Sequence, residues 1–211
     1  MNADVWEKLW DAADGEKLFS YLQKYDGYEG EEIAFLKNHG VKKVCDAACG
    51  FGAYTLALAS NGFEVKAFDI SQKAADIAKE GLKRFGYGVE IKTADILDTG
   101  YEDEEFGGVC AVSVLDHMTG ADAERVLCEL YRITRPGGFI MLAFDKPDEP
   151  DIEKEYEILP DGSIKYENGM IFHPYGKEEI AALTAGRRTV FACENGRGEQ
   201  IVILKKGEEN G

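Results

Sequence analysis

The chain has 211 residues, of which 45% are apolar, and a formal net charge of −16 at pH 7 from 40 acidic and 24 basic residues. Its length suits one domain, residues 1–211, that is large enough to bury a full core. A nucleic-acid substrate would need Lys and Arg to neutralise its phosphates, so the acidic balance argues against one. Two short basic clusters, Arg187-Arg188 and Lys205-Lys206, are expected on a solvated face.

Targeting and redox signals are also weak. No apolar run approaches the length of a membrane span, and the N-terminus lacks the basic-then-apolar order of a signal peptide. We therefore expect a cytoplasmic protein without a membrane partner. The cysteines are odd in number and lack paired Cys-x-x-Cys spacing, which favours reduced thiols over a metal site. They are Cys45, Cys49, Cys110, Cys128 and Cys193.

The N-terminal segment has apolar residues at helical spacing. The pattern runs from Asp4 to Tyr25 and is interrupted near Asp14-Gly15. It predicts a helical cap over residues 1–27. A further helix is predicted over residues 28–38, closed by a glycine C-cap at His39-Gly40.

A strand, a glycine turn, a helix and a second strand follow in close succession. An apolar run at residues 43–47 leads into Ala48-Cys49-Gly50-Phe51-Gly52, and residues 53–60 read as a helix. The second strand, residues 63–68, ends in Asp69. This order is typical of a nucleotide-binding βαβ unit, in which small residues let the backbone approach a ligand. An acid at the tip of the second strand can accept both hydroxyl hydrogens of a ribose.

Strands and helices continue to alternate, which predicts a parallel sheet with helices on both faces. Ser71 is the predicted cap of the next helix. The predicted elements are a helix at 72–85, a strand at 88–94, a strand at 109–115, a helix at 121–133, a turn at 135–138 and a strand at 139–144.

The C-terminal third has hairpin signals instead. Asp161-Gly162 and Asn168-Gly169 are strong turn dipeptides and predict a small antiparallel insertion at residues 152–174. A helix at 177–185 follows. A final hairpin is predicted from strands at 189–193 and 200–205.

The glycine loop distinguishes between two cofactors. A dinucleotide loop needs a third glycine, and the position counted from Gly50 is occupied by Thr55. The loop instead resembles motif I of the class I S-adenosylmethionine-dependent methyltransferases, Asp-x-Gly-x-Gly-x-Gly. Asp46, Cys49, Gly50 and Gly52 match that motif, whereas Ala48 stands where the first glycine is usual.

The resemblance, over about residues 30–205, implies a fold and a cofactor. The fold is an α/β, Rossmann-like, doubly wound sheet of seven strands, mostly parallel, with an antiparallel last strand and the hairpin insertion after strand five. The cofactor is S-adenosylmethionine, with S-adenosylhomocysteine as product. Loop contacts are implied for Asp46, Ala48, Cys49, Gly50 and Gly52.

Further roles follow from the same resemblance. Asp69 and Ile70 are implied beside the ribose, and Asp95 with Ile96 beside the adenine, although Asp98 competes with Asp95 for that role. Ser113 is expected to line the cofactor through its backbone. The Gly107-Gly108 pair departs from the Phe-Asp that the family usually has at this place and has no functional interpretation.

Other residues are candidates for catalysis and for acceptor binding. His117 and Asp116 close strand four and are candidates for a general base or a substrate contact. His173 and Tyr175 are candidates for the acceptor side, and Tyr25 is the favoured member of an N-terminal aromatic lid that also offers Trp6, Trp10, Tyr21 and Tyr28. Local packing remains the alternative for each of them.

The function predicted is methyl transfer to an oxygen or nitrogen of a small molecule by a monomer or homodimer. Three alternatives stay open: a non-catalytic S-adenosyl-binding module, a protein or nucleic-acid methyltransferase, and a dehydrogenase. The sequence does not name the acceptor.

Overall fold

A computed structural model describes residues 2–146, 155–196 and 198–208. The helices are α1 Ala3–Asp11, α2 Gly15–Leu22, α3 Glu31–Asn38, α4 Ala53–Ser60, α5 Gln72–Arg84, α6 Gly120–Ile133 and α7 Lys177–Leu183, with a 3-10 turn at Leu115–His117. The strands are β1 Lys43–Ala47, β2 Glu64–Asp69, β3 Glu90–Thr93, β4 Phe106–Val112, β5 Thr134–Phe144, β6 Tyr156–Ile158, β7 Ile164–Tyr166, β8 Ile171–Phe172, β9 Arg188–Glu194 and β10 Gln200–Lys205. The predicted start of the insertion, 152–154, lies outside the described residues.

The main sheet has seven strands in the order β3-β2-β1-β4-β5-β10-β9. β10 runs antiparallel to both β5 and β9, while β1 pairs in parallel with β2 and β4. A second, three-stranded sheet has the order β6-β7-β8 and forms the insertion. The predicted fold class, including its antiparallel last strand, is confirmed.

Local signals set several of the element ends. The Ser71 hydroxyl accepts a hydrogen bond from the Ala74 amide at 3.1 Å and caps α5, as its sequence position predicts. The Thr119 hydroxyl accepts from the Asp122 amide at 3.3 Å at the start of α6. Gly40, with φ of 71°, ends α3 in the left-handed conformation that glycine adopts without strain.

Both faces of the sheet are covered by helices. One core joins the sheet to α3 and α4 through Ile33, Leu36 and Leu58, all fully buried. The other joins it to α6 and α7 through Leu127 and Ile180. This leaves the ends of the strands, rather than the faces of the sheet, as the sites open to ligands.

The fourth strand lies earlier in the chain than the sequence predicted. It covers Phe106–Val112 and not residues 109–115, because Ser113 leaves the extended conformation with φ of 53°. Gly108 packs against α3: a Cβ atom there would lie 3.2 Å from Val41 Cγ1 and 3.8 Å from Leu36 Cδ2. Gly108 therefore has a packing role within the strand.

Within residues 2–146, 155–196 and 198–208, none of the helices combines the length and apolar content that a membrane span requires.

Candidate functional site

The loop after β1 is held in left-handed backbone conformations. Ala48 has φ of 56° and Gly50 has φ of 54°. The turn is closed by a hydrogen bond from the Gly52 amide to the Cys49 carbonyl at 2.9 Å, and the Cys49 amide donates to the Phe68 carbonyl at 2.9 Å. An L-residue in this region is strained, which explains why glycine suits position 48 better than alanine.

Gly52 serves helix packing rather than the wall of the loop. Its φ is 86°, and a Cβ atom there would lie 2.8 Å from Leu82 Cδ1 and 3.0 Å from Ala78 Cβ. The absence of a side chain lets α4 begin against α5. Gly52 is not among the residues of the cavity wall described below, and its cofactor contact stays a prediction.

Asp69 connects the second strand to the glycine loop. Its two carboxylate oxygens accept hydrogen bonds from the Gly50 amide at 2.8 Å and the Ser71 amide at 2.9 Å. Burial raises the pKa of this carboxyl, and the amide donors oppose that rise. The side chain is 5% exposed and faces the space above the loop. It is thus a preorganised acceptor at the carboxyl edge of the sheet.

Asp46 lies beneath the same loop, at the end of β1. One of its oxygens accepts a hydrogen bond from the Thr55 hydroxyl at 2.5 Å. Burial raises the pKa of Asp46 to about 7. The carboxyl therefore holds a proton more readily than an exposed aspartate does, and Thr55 ties it to the first turn of α4.

The end of β4 supplies a second polar group. The Ser113 hydroxyl donates to Asp145 Oδ1 at 2.6 Å, which joins the ends of β4 and β5. The His117 ring meets the Trp6 ring edge-on, with centroids 5.1 Å apart. Its Nδ1 atom is buried and has no hydrogen-bond partner among the described residues. Burial lowers the pKa of His117, so the neutral ring prevails at pH 7.

Asp116 lies next to His117 but points away from the open space. The residue is fully buried, and both carboxyl oxygens lack a hydrogen-bond partner within the part of the chain that the structure describes. Burial, reinforced by the charge of Asp145, raises the pKa of Asp116 to about 8. A neutral carboxylic acid beneath the site is the form expected at pH 7.

One cavity of about 350 Å³ lies at the carboxyl ends of β1, β2, β4 and β5 and is lined by most of these groups, but not by Gly52 or Asp116. It unites the N-terminal aromatics, the glycine loop, Asp69, and the ends of β4 and β5. Its wall is formed by Trp6, Trp10, Tyr21, Tyr25, Asp46, Ala48, Cys49, Gly50, Phe51, Ala53, Tyr54, Asp69, Ile70, Val112, Ser113, Val114, His117, Asp145 and Glu199.

Helix α1 closes the top of this cavity. A Cβ atom on Gly50 would lie 3.1 Å from the Trp10 ring, so the glycine permits close contact with the helix. Glu7 accepts hydrogen bonds from the Ser71 hydroxyl at 2.6 Å and the Lys73 amide at 3.3 Å. Of the expected N-terminal aromatic lid, Trp6, Trp10, Tyr21 and Tyr25 line the cavity, whereas Tyr28 does not.

Several predicted residues are not brought to the cavity wall. Asp95 is half-buried and accepts from the Leu97 amide at 2.9 Å, while Ile96 is buried in the core. His173 hydrogen-bonds to the Ser163 hydroxyl at 2.9 Å through Nδ1. Tyr175 is 2% exposed and packs on Phe144, so both acceptor-side candidates lie within the fold instead of in the wall.

Some wall residues escaped the sequence analysis. Asp145 directly follows the apolar run of β5, just as Asp69 directly follows the apolar run of β2. Applying the strand-end rule to every strand would have found it. Phe51 and Glu199 carry no such signal, because their positions depend on the loop conformation and on the β9–β10 hairpin.

No group of three or more His, Cys, Asp or Glu side chains suited to a metal ion occurs within residues 2–146, 155–196 and 198–208.

Comparison with known proteins adds a family to this geometry. Residues 45–142 match the family described as a methyltransferase domain. The ubiquinone biosynthesis O-methyltransferase of Thiobacillus denitrificans is 30% identical over 103 residues, which cover 48% of this chain and 44% of that protein. The matched regions span less than half of the first curated relatives, 37%, 44% and 47% of their lengths.

Solved structures show the same fold. The PH0226 protein of Pyrococcus horikoshii OT3 superposes with a TM-score of 0.67 at 24% identity, covering 83% of this chain and 88% of that one. The Burkholderia thailandensis 1,6-didemethyltoxoflavin-N1-methyltransferase, solved with 1,6-didemethyltoxoflavin and S-adenosylhomocysteine, has a TM-score of 0.64 at 20% identity, over 84% of this chain and 77% of that one.

Proposed function

We propose that the chain is a class I S-adenosylmethionine-dependent methyltransferase, in line with the methyltransferase-domain match over residues 45–142, and that it transfers a methyl group from S-adenosylmethionine to an oxygen or nitrogen of a small molecule. The observation that carries the proposal is the convergence of the Ala48–Gly50 loop, Asp69 and the end of β4 on one cavity. The proposed activity and acceptor class rest on that cavity and on the similarity of the chain to methyltransferases.

The cavity wall suits an S-adenosyl group. Asp69 is placed to accept hydrogen bonds from ribose hydroxyls, and the left-handed loop at Ala48 and Gly50 exposes backbone beside it. The aromatic side chains Trp10, Tyr25 and Phe51 in the wall offer faces to a cationic centre. When bound, the cofactor supplies an already activated methyl group on a sulfonium.

The residues of the chain mainly position and desolvate the reactants. Trp6 and Trp10 on α1 cover the cavity and exclude water. His117, neutral at pH 7 because burial lowers its pKa, is proposed as the general base that takes the acceptor proton onto a ring nitrogen. Ser113 and Asp145, joined by a hydrogen bond, are proposed to orient the acceptor.

The wall also bears on the acceptor class. A cavity of about 350 Å³ under an α-helix suits a small molecule rather than a folded protein surface. The net charge of −16 likewise disfavours nucleic acid. We therefore propose a small-molecule acceptor.

A labelled-methyl assay tests the proposal. The protein is incubated with S-adenosylmethionine carrying a tritiated methyl group and with panels of phenols, quinols and amines, and extracted label is counted. We expect transfer to at least one class. His117→Ala should slow that transfer by about 10²–10⁴-fold, the contribution typical of a general base.

The matched control is His39→Ala. His39 stacks on Phe35, with centroids 4.0 Å apart, and does not line the cavity. Its removal should leave the transfer rate unchanged. Binding of S-adenosylhomocysteine without transfer to any acceptor would contradict the proposal and favour a non-catalytic cofactor-binding module.

A further inference from the structure

Two basic dipeptides that are distant in the sequence surround one cavity in the fold. Antiparallel pairing of β9 with β10 places Arg188 directly opposite Lys205, with Arg187 and Lys206 beside them. The cavity that they line has a volume of about 550 Å³. Its remaining wall is formed by Tyr131, Gly186, Gly207 and Glu208. Instead of an open solvated face, the clusters form a concave basic cavity.

The basic cavity is separate from the candidate functional site. The Lys206 amide donates to the Gly138 carbonyl at 2.9 Å, close to the start of β5. The candidate functional site lies at the opposite, carboxyl end of the parallel strands. Among the described residues, the two cavities have no wall residue in common.

Two of the four cations have structural partners. Lys206 Nζ donates to the Tyr131 and Thr134 carbonyls at 2.9 and 2.7 Å, where it satisfies the C-terminal end of α6. Arg187 forms an ion pair with Glu124 at 2.8 Å and lies over the Tyr131 ring. These two residues build the wall.

The positive charges of the other two cations, Lys205 and Arg188, face the cavity and are little neutralised by acidic side chains. Lys205 has an ion pair at 3.5 Å with Glu208, whose side chain is 78% exposed and therefore contributes little. The Arg188 side chain has no hydrogen bond or ion pair within the described ranges, and the residue lies opposite Lys205. Like charges directly opposite each other on neighbouring strands repel. A bound anion would remove that repulsion.

We propose that the basic cavity binds a multiply charged phosphate, either inorganic pyrophosphate or the phosphate group of a small organic ester. The planar guanidinium of Arg188 can hold two phosphate oxygens, and the ammonium of Lys205 adds a point charge on the same face. The Tyr131 hydroxyl is buried nearby without a hydrogen-bond partner among the described residues. The binding is independent of methyl transfer.

Calorimetric titration of the full chain with pyrophosphate and with glycerol 3-phosphate tests this proposal, with glycerol as the uncharged control. We expect saturable binding of the phosphates, none of glycerol, and weaker binding as sodium chloride is raised. The phosphate compound that binds more tightly shows whether the site prefers inorganic pyrophosphate or an organic phosphate ester. Saturable binding of neither would overturn the proposal.

Variants then locate the site. The double variant R188A/K205A should lose at least tenfold in affinity, whereas R188K/K205R should retain most of it. The control K83A/R84A removes the same net charge from the end of α5, which is distant from the basic cavity, and should bind as the parent chain does. Equal binding by R188A/K205A and K83A/R84A would show non-specific attraction and refute the site.

Discussion

Replacement of Gly52 by alanine gives a quantitative test of how tightly the glycine loop packs against α5. Two features disfavour a side chain at Gly52: its φ is 86°, and its backbone is in close contact with α5. Gly62 offers a matched control, because its φ is 84° and an added Cβ would meet nothing within 4 Å. The two substitutions therefore share the backbone strain and differ only in the steric contact.

The expected magnitudes follow from these two terms. An L-residue in the left-handed region costs about 1–2 kcal/mol, and the stiffer unfolded chain returns about 0.4–1 kcal/mol. Gly62→Ala should therefore destabilise by roughly 0.5–1 kcal/mol. At Gly52 the added Cβ would also lie 3.3 Å from the Ala78 Cα atom, which is backbone and cannot rotate away. Overpacking adds about 1–3 kcal/mol, so Gly52→Ala should cost roughly 2–4 kcal/mol.

Urea unfolding, followed by circular dichroism, measures both variants. With a slope of about 2 kcal/mol per molar urea, the excess cost of Gly52→Ala lowers the midpoint by about 0.5–1.5 M relative to Gly62→Ala. Equal midpoints, within about 0.2 M, would refute the packing role of Gly52 and return it to a ligand-contact role.

Three further predictions follow from the site. Ala48→Gly should stabilise the chain by about 0.5–1 kcal/mol in the same urea assay, since the left-handed strain at φ of 56° is relieved; a loss of stability would refute the strain. The raised pKa of Asp116, about 8, means that the folded chain keeps a proton that the unfolded chain has released above pH 4. The free energy of unfolding of the parent chain therefore falls as pH rises towards 8. The free energy of unfolding of Asp116→Asn, relative to that of the parent chain, should rise by about 2–3 kcal/mol between pH 5 and pH 7. A constant difference across that range would contradict the buried neutral acid. Glu7→Ala removes the acceptor of two hydrogen bonds that hold α1 over the cavity, so amide exchange in α1 should accelerate relative to the exposed control Lys8→Ala; equal exchange would show that Glu7 does not anchor the helix.

The sequence predicted best those parts of the fold with local signals. Strand β1 and helix α4 have the predicted bounds, because an apolar run, a glycine turn and an alanine-rich segment each specify their own structure. Ser71 caps α5 as expected. The topology follows from the alternation of strands and helices, which leaves few arrangements open.

The parts that the sequence did not predict depend on contacts between distant residues. Ser113 ends β4 early with a left-handed φ and bonds to Asp145, which is 32 positions away. His173 and Tyr175 are of residue types that often bind ligands, yet the fold buries both of them against the core. Only the assembled β9–β10 hairpin shows that Arg188 and Lys205 face the same space.

Titration of the purified chain with S-adenosylhomocysteine, with NAD as the control ligand, tests the central claim most directly. We expect saturable binding of S-adenosylhomocysteine, none of NAD, and a loss of about 1–3 kcal/mol of binding free energy in Asp69→Ala because a charged acceptor is removed. Asp76→Ala, which removes an exposed acid on α5 outside the cavity wall, should bind as the parent chain does. Absence of S-adenosylhomocysteine binding by the parent chain, or unchanged affinity in a folded Asp69→Ala variant, would contradict the assignment of this cavity to the cofactor.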